Sequence, residues 1–218
     1  MILRTNKEFG SQIEEIWNDP KFETIEIRKR GFAIQDDIRQ NAIMFIGINP
    51  SYNNAPGSIY YDNSHGETHP YFRKFIDISQ KVSIDWTHLD LLFVRETSQN
   101  IIKDLGKTQL GHDFFDEQLI VSKHIIEVAK PQILVVNNTH ARDLLKSTSF
   151  SSTKFDFEFD EILGTEKIVN HKILNGTPVF FTSMLTGQRA LDLGSYNRLI
   201  WHIRYVKNLL PNKEQKIN

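Results

Sequence analysis

The residues best equipped for chemistry sit in one short run, Gly47-Ile48-Asn49-Pro50-Ser51. Gly47 permits close backbone approach, Pro50 fixes the turn, and Asn49 is left with a carboxamide at a sheet's edge. Such a group holds a water through its carbonyl oxygen without being a strong base; the alternative is that Asn49 only caps its own turn. The chain has no cysteine, which excludes disulfides, thiolate zinc sites, cysteine-held iron-sulfur clusters and a cysteine nucleophile. Catalysis is left to oxygen, nitrogen or water. Among eight histidines, His65 and His69 come nearest to a ligand pair, at i and i+4, but they lie in a loop full of helix breakers, and no metal site is expected.

The elements that must position this run follow from periodicity. Residues 6–18, with Phe9, Ile13, Ile16 and Trp17 at helical spacing, predict an amphipathic helix that stops before Pro20. The apolar run Ala42 to Ile48 predicts a buried strand, followed by a long loop through Asn53, Pro56, Gly57, Asn63, Gly66 and Pro70. Helical spacing resumes over 70–79. Leu89 to Val94 predicts a second buried strand opening into Arg95 to Asn100, where Arg95 and Glu96 are expected to pair on the rim, an acid or base role for Glu96 being the alternative. A helix from Asp113 to Ala129, a strand Ile133 to Val136, a helix capped by Thr139, a strand Val179 to Thr182 and a helix Leu193 to Leu210 complete the order. Phe155, Phe157 and Phe159 alternate with acidic residues, which predicts an inserted β-hairpin or arm over 150–175. No repeat or linker divides residues 1–218. The expectation is one α/β domain, a three-layer sandwich around a central four-stranded parallel sheet, with ligands beyond the carboxyl ends of the strands.

The Gly-Ile-Asn-Pro run followed by a small residue resembles the first motif of the uracil-DNA glycosylase superfamily, closest to its mismatch-specific uracil/thymine branch. Tyr61, twelve positions after Asn49, stands where that branch places an aromatic that stacks on a flipped base, and His69-Pro70-Tyr71-Phe72-Arg73 looks like the helix start that follows. Because the loop is longer here, the stacking aromatic is open among Tyr52, Tyr60, Tyr61 and Phe72. Pro131 to Val136 and Thr177 to Phe181 look like the family's third and fourth strands. After the fourth, the family carries His-Pro-Ser or Asn-Pro-Ser, whereas this chain reads Thr182-Ser183-Met184-Leu185-Thr186-Gly187-Gln188-Arg189, with Ser183 in place of the His or Asn. Uracil-selecting relatives also carry an Asn at the end of the second strand, where the predicted strand puts Val94 and Arg95. Ser51 stands where strict uracil enzymes place a bulky Tyr, which leaves room for larger or modified bases.

The resemblance implies hydrolysis of the N-glycosidic bond of an extruded uracil, mismatched thymine or other damaged base, with no metal or other cofactor. Asn49 would position the water, and Ser183 would face the departing base. The pocket would be built from Gly47, Ile48, Pro50, Ser51, Tyr52, Tyr61, Phe72 and Arg95. DNA contacts would fall to Met184, Leu185, Thr186, Gln188 and Arg189, with Asn138 and His140 contributing if they do more than cap a helix.

Twenty-six basic against twenty-seven acidic residues leave a net charge of -1, which announces no nucleic-acid partner in bulk. The balance is a sum of opposed patches. Residues 181–218 carry Arg189, Arg198, Arg204, Lys207, Lys213 and Lys216 against Asp192 and Glu214, while residues 150–166 carry five acidic side chains against Lys154. A mean hydropathy of -0.38, no apolar run long enough to span a bilayer and no signal-peptide core in the first residues predict a cytoplasmic protein without a membrane partner; a monomer is expected, with nothing in these features to fix it. Two other functions fit the same residues: a catalytically impaired member that binds damaged or single-stranded nucleic acid, and an enzyme acting on a free nucleobase or nucleotide.

Overall fold

The computed structural model describes residues 1–62, 69–150, 154–187 and 190–210. In chain order its elements are β1 (Ile2–Arg4), α1 (Thr5–Glu8), α2 (Gly10–Asn18), β2 (Ala33–Gln35), β3 (Asp37–Arg39), β4 (Ile43–Gly47), β5 (Ile59–Tyr61), α3 (Arg73–Val82), β6 (Trp86–Asp90), α4 (Gln99–Leu105), α5 (Gln109–Ala129), β7 (Ile133–Val136), α6 (Thr139–Lys146), β8 (Asp156–Asp160), β9 (Thr165–Val169), β10 (Pro178–Phe181) and α7 (Leu193–Leu209). The central sheet runs β6-β4-β7-β10-β9-β8. Its first four strands are parallel, and β9 and β8 each add antiparallel. Two small pairs, antiparallel β1–β3 and parallel β2–β5, lie outside it.

Strands β4 and β7 are buried on both faces because every residue from Ile43 to Ile46 and from Ile133 to Val136 is apolar. Their alternation sorts the core into two layers. Ile43, Phe45, Ile133 and Val135 pack with Phe75 and Ile78 of α3 and with Ile200 and Ile203 of α7. Met44, Ile46, Leu134 and Val136 pack on the other face with Ile13 of α2 and with Phe114, Ile125 and Ile126 of α5. Phe45 and Phe75 stack with ring centroids 4.4 Å apart, fixing α3 against the sheet. Helix α5 starts four residues earlier than expected, where Thr108 caps it by accepting a hydrogen bond from the Gly111 amide, and Lys130 in the left-handed conformation ends it before Pro131.

Three expectations are corrected. The sheet is six-stranded and mixed, because the hairpin β8–β9 joins its edge instead of standing apart as an arm. Phe157 packs edge-on against Phe181 of β10 with Lys146 over both rings, and only Phe159 of the alternating phenylalanines is exposed. Second, α6 is capped by Asn138, whose Oδ1 accepts from the amides of His140 and Ala141, and not by Thr139.

The third correction moves the second strand. It spans Trp86 to Asp90, so the apolar run beyond it is not ladder. The amides of Leu91 and Leu92 still reach the carbonyls of Gly47 and Ile48, but those of Phe93 and Val94 are satisfied by the buried Gln118 Oε1, at 2.8 and 3.2 Å. Gln118 Nε2 donates to the Phe114 carbonyl, and Ser122 Oγ donates to that of Leu91. Apolar side chains hold this segment in the core while α5 supplies its hydrogen bonds. Gln118→Leu strips two buried amides of their acceptor and should destabilise the protein by about 2 to 4 kcal/mol in denaturant unfolding. A change under about 0.5 kcal/mol would show that the segment is held by packing alone.

Candidate active site

Register brings the chemistry together. Gly47 pairs with Asp90 and Phe45 with His88, while Phe45 also pairs with Val135. Phe45 and Val135 pack in the layer under α3 and α7, so the residues two further along, Gly47 and Asn137, come to the strand ends on that face, where His88 and Asp90 also lie. A Cβ on Gly47 would overlap Asp90 Oδ1. The missing side chain is the space in which the Asp90 carboxyl lies. Over these residues opens a cavity of about 440 Å³, walled by Asn49, Pro50, Ser51, Tyr61, Tyr71, Phe72, Asn138 and Met184 to Thr186.

The cavity floor is polar, buried and short of partners. His88 is 1 % and Asp90 9 % exposed. Burial pushes the Asp90 carboxyl up to about 7 and the His88 imidazole down to about 3. His88 Nε2 stands 3.5 Å from Asp90 Oδ1, and no lysine or arginine pairs with Asp90 among the described residues. Burial, then the neighbouring Asp90, raises the phenols of Tyr61 and Tyr71. Tyr61 Oη lies 3.4 Å from His88 Nδ1, whereas His88 Nε2 and Asn137 Oδ1 are buried without a hydrogen-bond partner among the described residues. At mildly acidic pH, below the Asp90 value and above that of His88, this floor is a set of neutral groups, the kind of surface a polar ligand completes.

Asn49 is held firmly. Its Nδ2 donates to the carbonyls of Pro50 at 3.0 Å, Val94 at 3.4 Å and Glu96 at 2.6 Å. That leaves Oδ1 free of protein donors among the described residues, as the acceptor a water would need. The turn-capping and the water-holding readings are therefore compatible: one end of the amide does each.

Other expected site residues divide. Gly47, Ile48, Pro50, Ser51, Tyr61, Phe72, Arg95, Asn138, Met184, Leu185 and Thr186 all line the cavity with Asn49. Arg95 does so as a tether, because its guanidinium donates to the carbonyls of Ala55 and Gly57 and to Asn53 Oδ1 at 2.7 to 2.8 Å. Glu96 pairs with Arg30 at 2.5 Å, not with Arg95, and accepts from the Ser98 amide. Phe72 is packed among Tyr71, Phe75, Trp86 and His88, so its ring belongs to the core as much as to the wall. Tyr52 is outside the wall, beneath the guanidinium groups of Arg30 and Arg95. Ser183 is exposed and outside it too, as is the half-buried His140. Gln188, Arg189 and His65 lie outside the described residues.

The sequence reading passed over His88 and Asp90. Both were hidden by the second strand's misplacement, which put Val94 and Arg95 at its end; the strand ends at Asp90. Polar residues at i and i+2 beside a glycine-ended strand were the available signal. No protein-family model matches the chain, and no curated protein is a significant match to it. Among the described residues no cluster of three or more His, Asp or Glu side chains is placed to hold a metal ion, and no helix is long and apolar enough to cross a membrane.

Asp90 makes stability depend on pH. An aspartate ionises near 4 when unfolded and near 7 here, so its contribution is full below about pH 4 and is lost as the pH rises to 7. Asp90→Asn removes that loss. Its melting temperature should exceed the wild type's by several degrees at pH 8 and match it near pH 4; an equal gap at both values would show an ordinary, ionised carboxylate.

Proposed function

We propose that this chain is a DNA glycosylase of the uracil-DNA glycosylase type, hydrolysing the N-glycosidic bond of an extruded uracil, mismatched thymine or other damaged base. One observation carries the reading. Asn49, in a Gly-Ile-Asn-Pro run at the carboxyl end of a buried parallel strand, is anchored through Nδ2 and, among the described residues, keeps Oδ1 clear of protein donors on the wall of a cavity of base-accommodating size. A flipped base enters the cavity, and Asn49 Oδ1 accepts a hydrogen bond from a water and aims its oxygen at the sugar carbon. The water oxygen bonds to that carbon as the bond to the base nitrogen breaks, the bond's electron pair leaves with the base, and the proton that the water sheds ends on that nitrogen. Fixed dipoles favour the oxocarbenium-like transition state. Neither a metal nor a cofactor is required. The chain acts as a monomeric cytoplasmic repair protein, its fold the three-layer type of that superfamily enlarged at one sheet edge.

Duplex contacts are modest in this reading. Arg204 and Lys207 donate to the carbonyls of Lys81, Val82 and Ser83 at the carboxyl end of α3, away from the cavity mouth. They cap a helix instead of facing a phosphate backbone. Arg198, on the first half of α7, and the wall residues Met184 to Thr186 are better placed.

A second reading has its own support. Ser183, where the family carries a group facing the departing base, is exposed and outside the cavity wall. This favours a member that binds lesion-bearing nucleic acid without excising the base.

Lesion-bearing oligonucleotides, single- and double-stranded, treated with alkali after incubation, separate the two. The glycosylase should yield abasic product, and Asn49→Ala should reduce the rate at least about 100-fold. Undiminished cleavage by Asn49→Ala would overturn the assignment. Salt-sensitive binding with no abasic product would establish the second reading.

A further inference from the structure

We propose that Arg30 is a positioning residue for Asn49, its ion pair with Glu96 fixing the peptide carbonyl that orients the Asn49 carboxamide. That the oriented oxygen serves a water rests on the function proposed above, while the positioning rests on the contacts alone.

A carboxamide can turn over about its last torsion and exchange its oxygen for its nitrogen, so its partners decide which atom faces the cavity. Among the described residues, the closest partner of Asn49 Nδ2 is the Glu96 carbonyl, at 2.6 Å. Turned over, Oδ1 would meet that carbonyl oxygen and be repelled. The Glu96 peptide thus sets the orientation, and it has anchors of its own. Its amide donates to the Pro50 carbonyl at 3.0 Å, its Oε1 accepts from the Ser98 amide at 2.8 Å, and its Oε2 pairs with Arg30 Nη1 at 2.5 Å. Of these partners only Arg30 is charged. The Glu96 side chain is 5 % exposed, and a carboxylate so placed that loses its cation moves toward water, taking its own backbone with it.

Arg30 also grips the first loop. Its guanidinium lies 4.7 Å from the Tyr52 ring centre and reaches the Arg95 carbonyl at 3.4 Å, so one side chain holds both loops that meet at Asn49. The backbone is shaped to deliver it. Arg30 ends a short 3-10 helix, Glu26–Arg30, and the chain leaves through Gly31 at φ 79°, where a Cβ would overlap the Gly57 backbone.

Solvent exchange of the Asn49 side-chain amide protons, followed by NMR of the full chain without ligand, tests this; Asn49→Ala identifies their resonances. Two variants are compared with the wild type: Arg30→Met, and Arg30→Met/Glu96→Gln, which leaves no unpaired buried carboxylate. Each should speed that exchange at least about tenfold, with the backbone amides of β4 and β7 keeping their protection. Wild-type exchange in either variant would overturn the assignment. So would strand amides in the double variant that lose protection as much as Asn49 does, the mark of a merely structural pair. Cleavage of a lesion-bearing oligonucleotide by the double variant, run in parallel, separates this from the function it rests on. Single-turnover excision should slow at least about tenfold at an unchanged oligonucleotide Kd. Excision at the wild-type rate despite faster exchange sinks the positioning and leaves the glycosylase; faster exchange with no excision by the wild type sinks the glycosylase and leaves the orientation of Asn49.

Discussion

The site depends on a single close approach, the Asp90 carboxyl lying where a side chain on Gly47 would be. Parallel pairing sets the ends of β4 and β6 side by side, and only glycine leaves the volume for a buried carboxyl there. Within the Gly-Ile-Asn-Pro run, the glycine thus shapes the cavity floor and the asparagine its wall. Removing Asp90 from water, with no lysine or arginine paired to it among the described residues, favours its neutral form, and that in turn sets what the floor can recognise.

Much of the surrounding structure serves to hold the two loops that rise over this floor. Asn49 ties the first loop to the second through the carbonyls of Val94 and Glu96, and Arg95 reaches back to hold Ala55 and Gly57. Arg30 clasps Glu96 from below, while Gln118 and Ser122 anchor the segment that leads into the second loop. These are contacts between side chains and backbone carbonyls or amides, which fix loop position without regular strand pairing. On the other side, the aromatic group of Tyr71, Phe72, Phe75 and Trp86 packs around His88 and keeps the imidazole dry. Rigid loops over a desolvated floor are what a site needs to tell similar ligands apart.

Strands β4, β7 and β10 and the long helices were legible because each is a continuous apolar run or a clear helical period bounded by Pro, Gly or Asn. The Asn49 run was legible for the same reason: it marks where a buried strand must turn. What was not legible depended on partners distant in sequence. Leu91 to Val94 is more apolar than Trp86 to Asp90, so hydropathy favoured the wrong stretch; the true strand is chosen by its register with β4, and the apolar stretch is satisfied by Gln118. The hairpin's attachment to β10 is likewise set by pairing and by Lys146 over Phe157 and Phe181, which no local pattern reveals. Ser183 holds the place of the second motif and Tyr52 is one of the aromatics of the lengthened loop, yet both lie outside the cavity wall.

The protonation state of Asp90 is the most direct test, and isotope-edited infrared spectroscopy of the carboxyl stretch reads it without a ligand. A single protonated carboxyl band absent from Asp90→Asn, persisting at pH 6 and fading with a midpoint near 7, is the predicted result. Loss of that band with a midpoint near 4, the value of a solvated aspartate, would contradict the account.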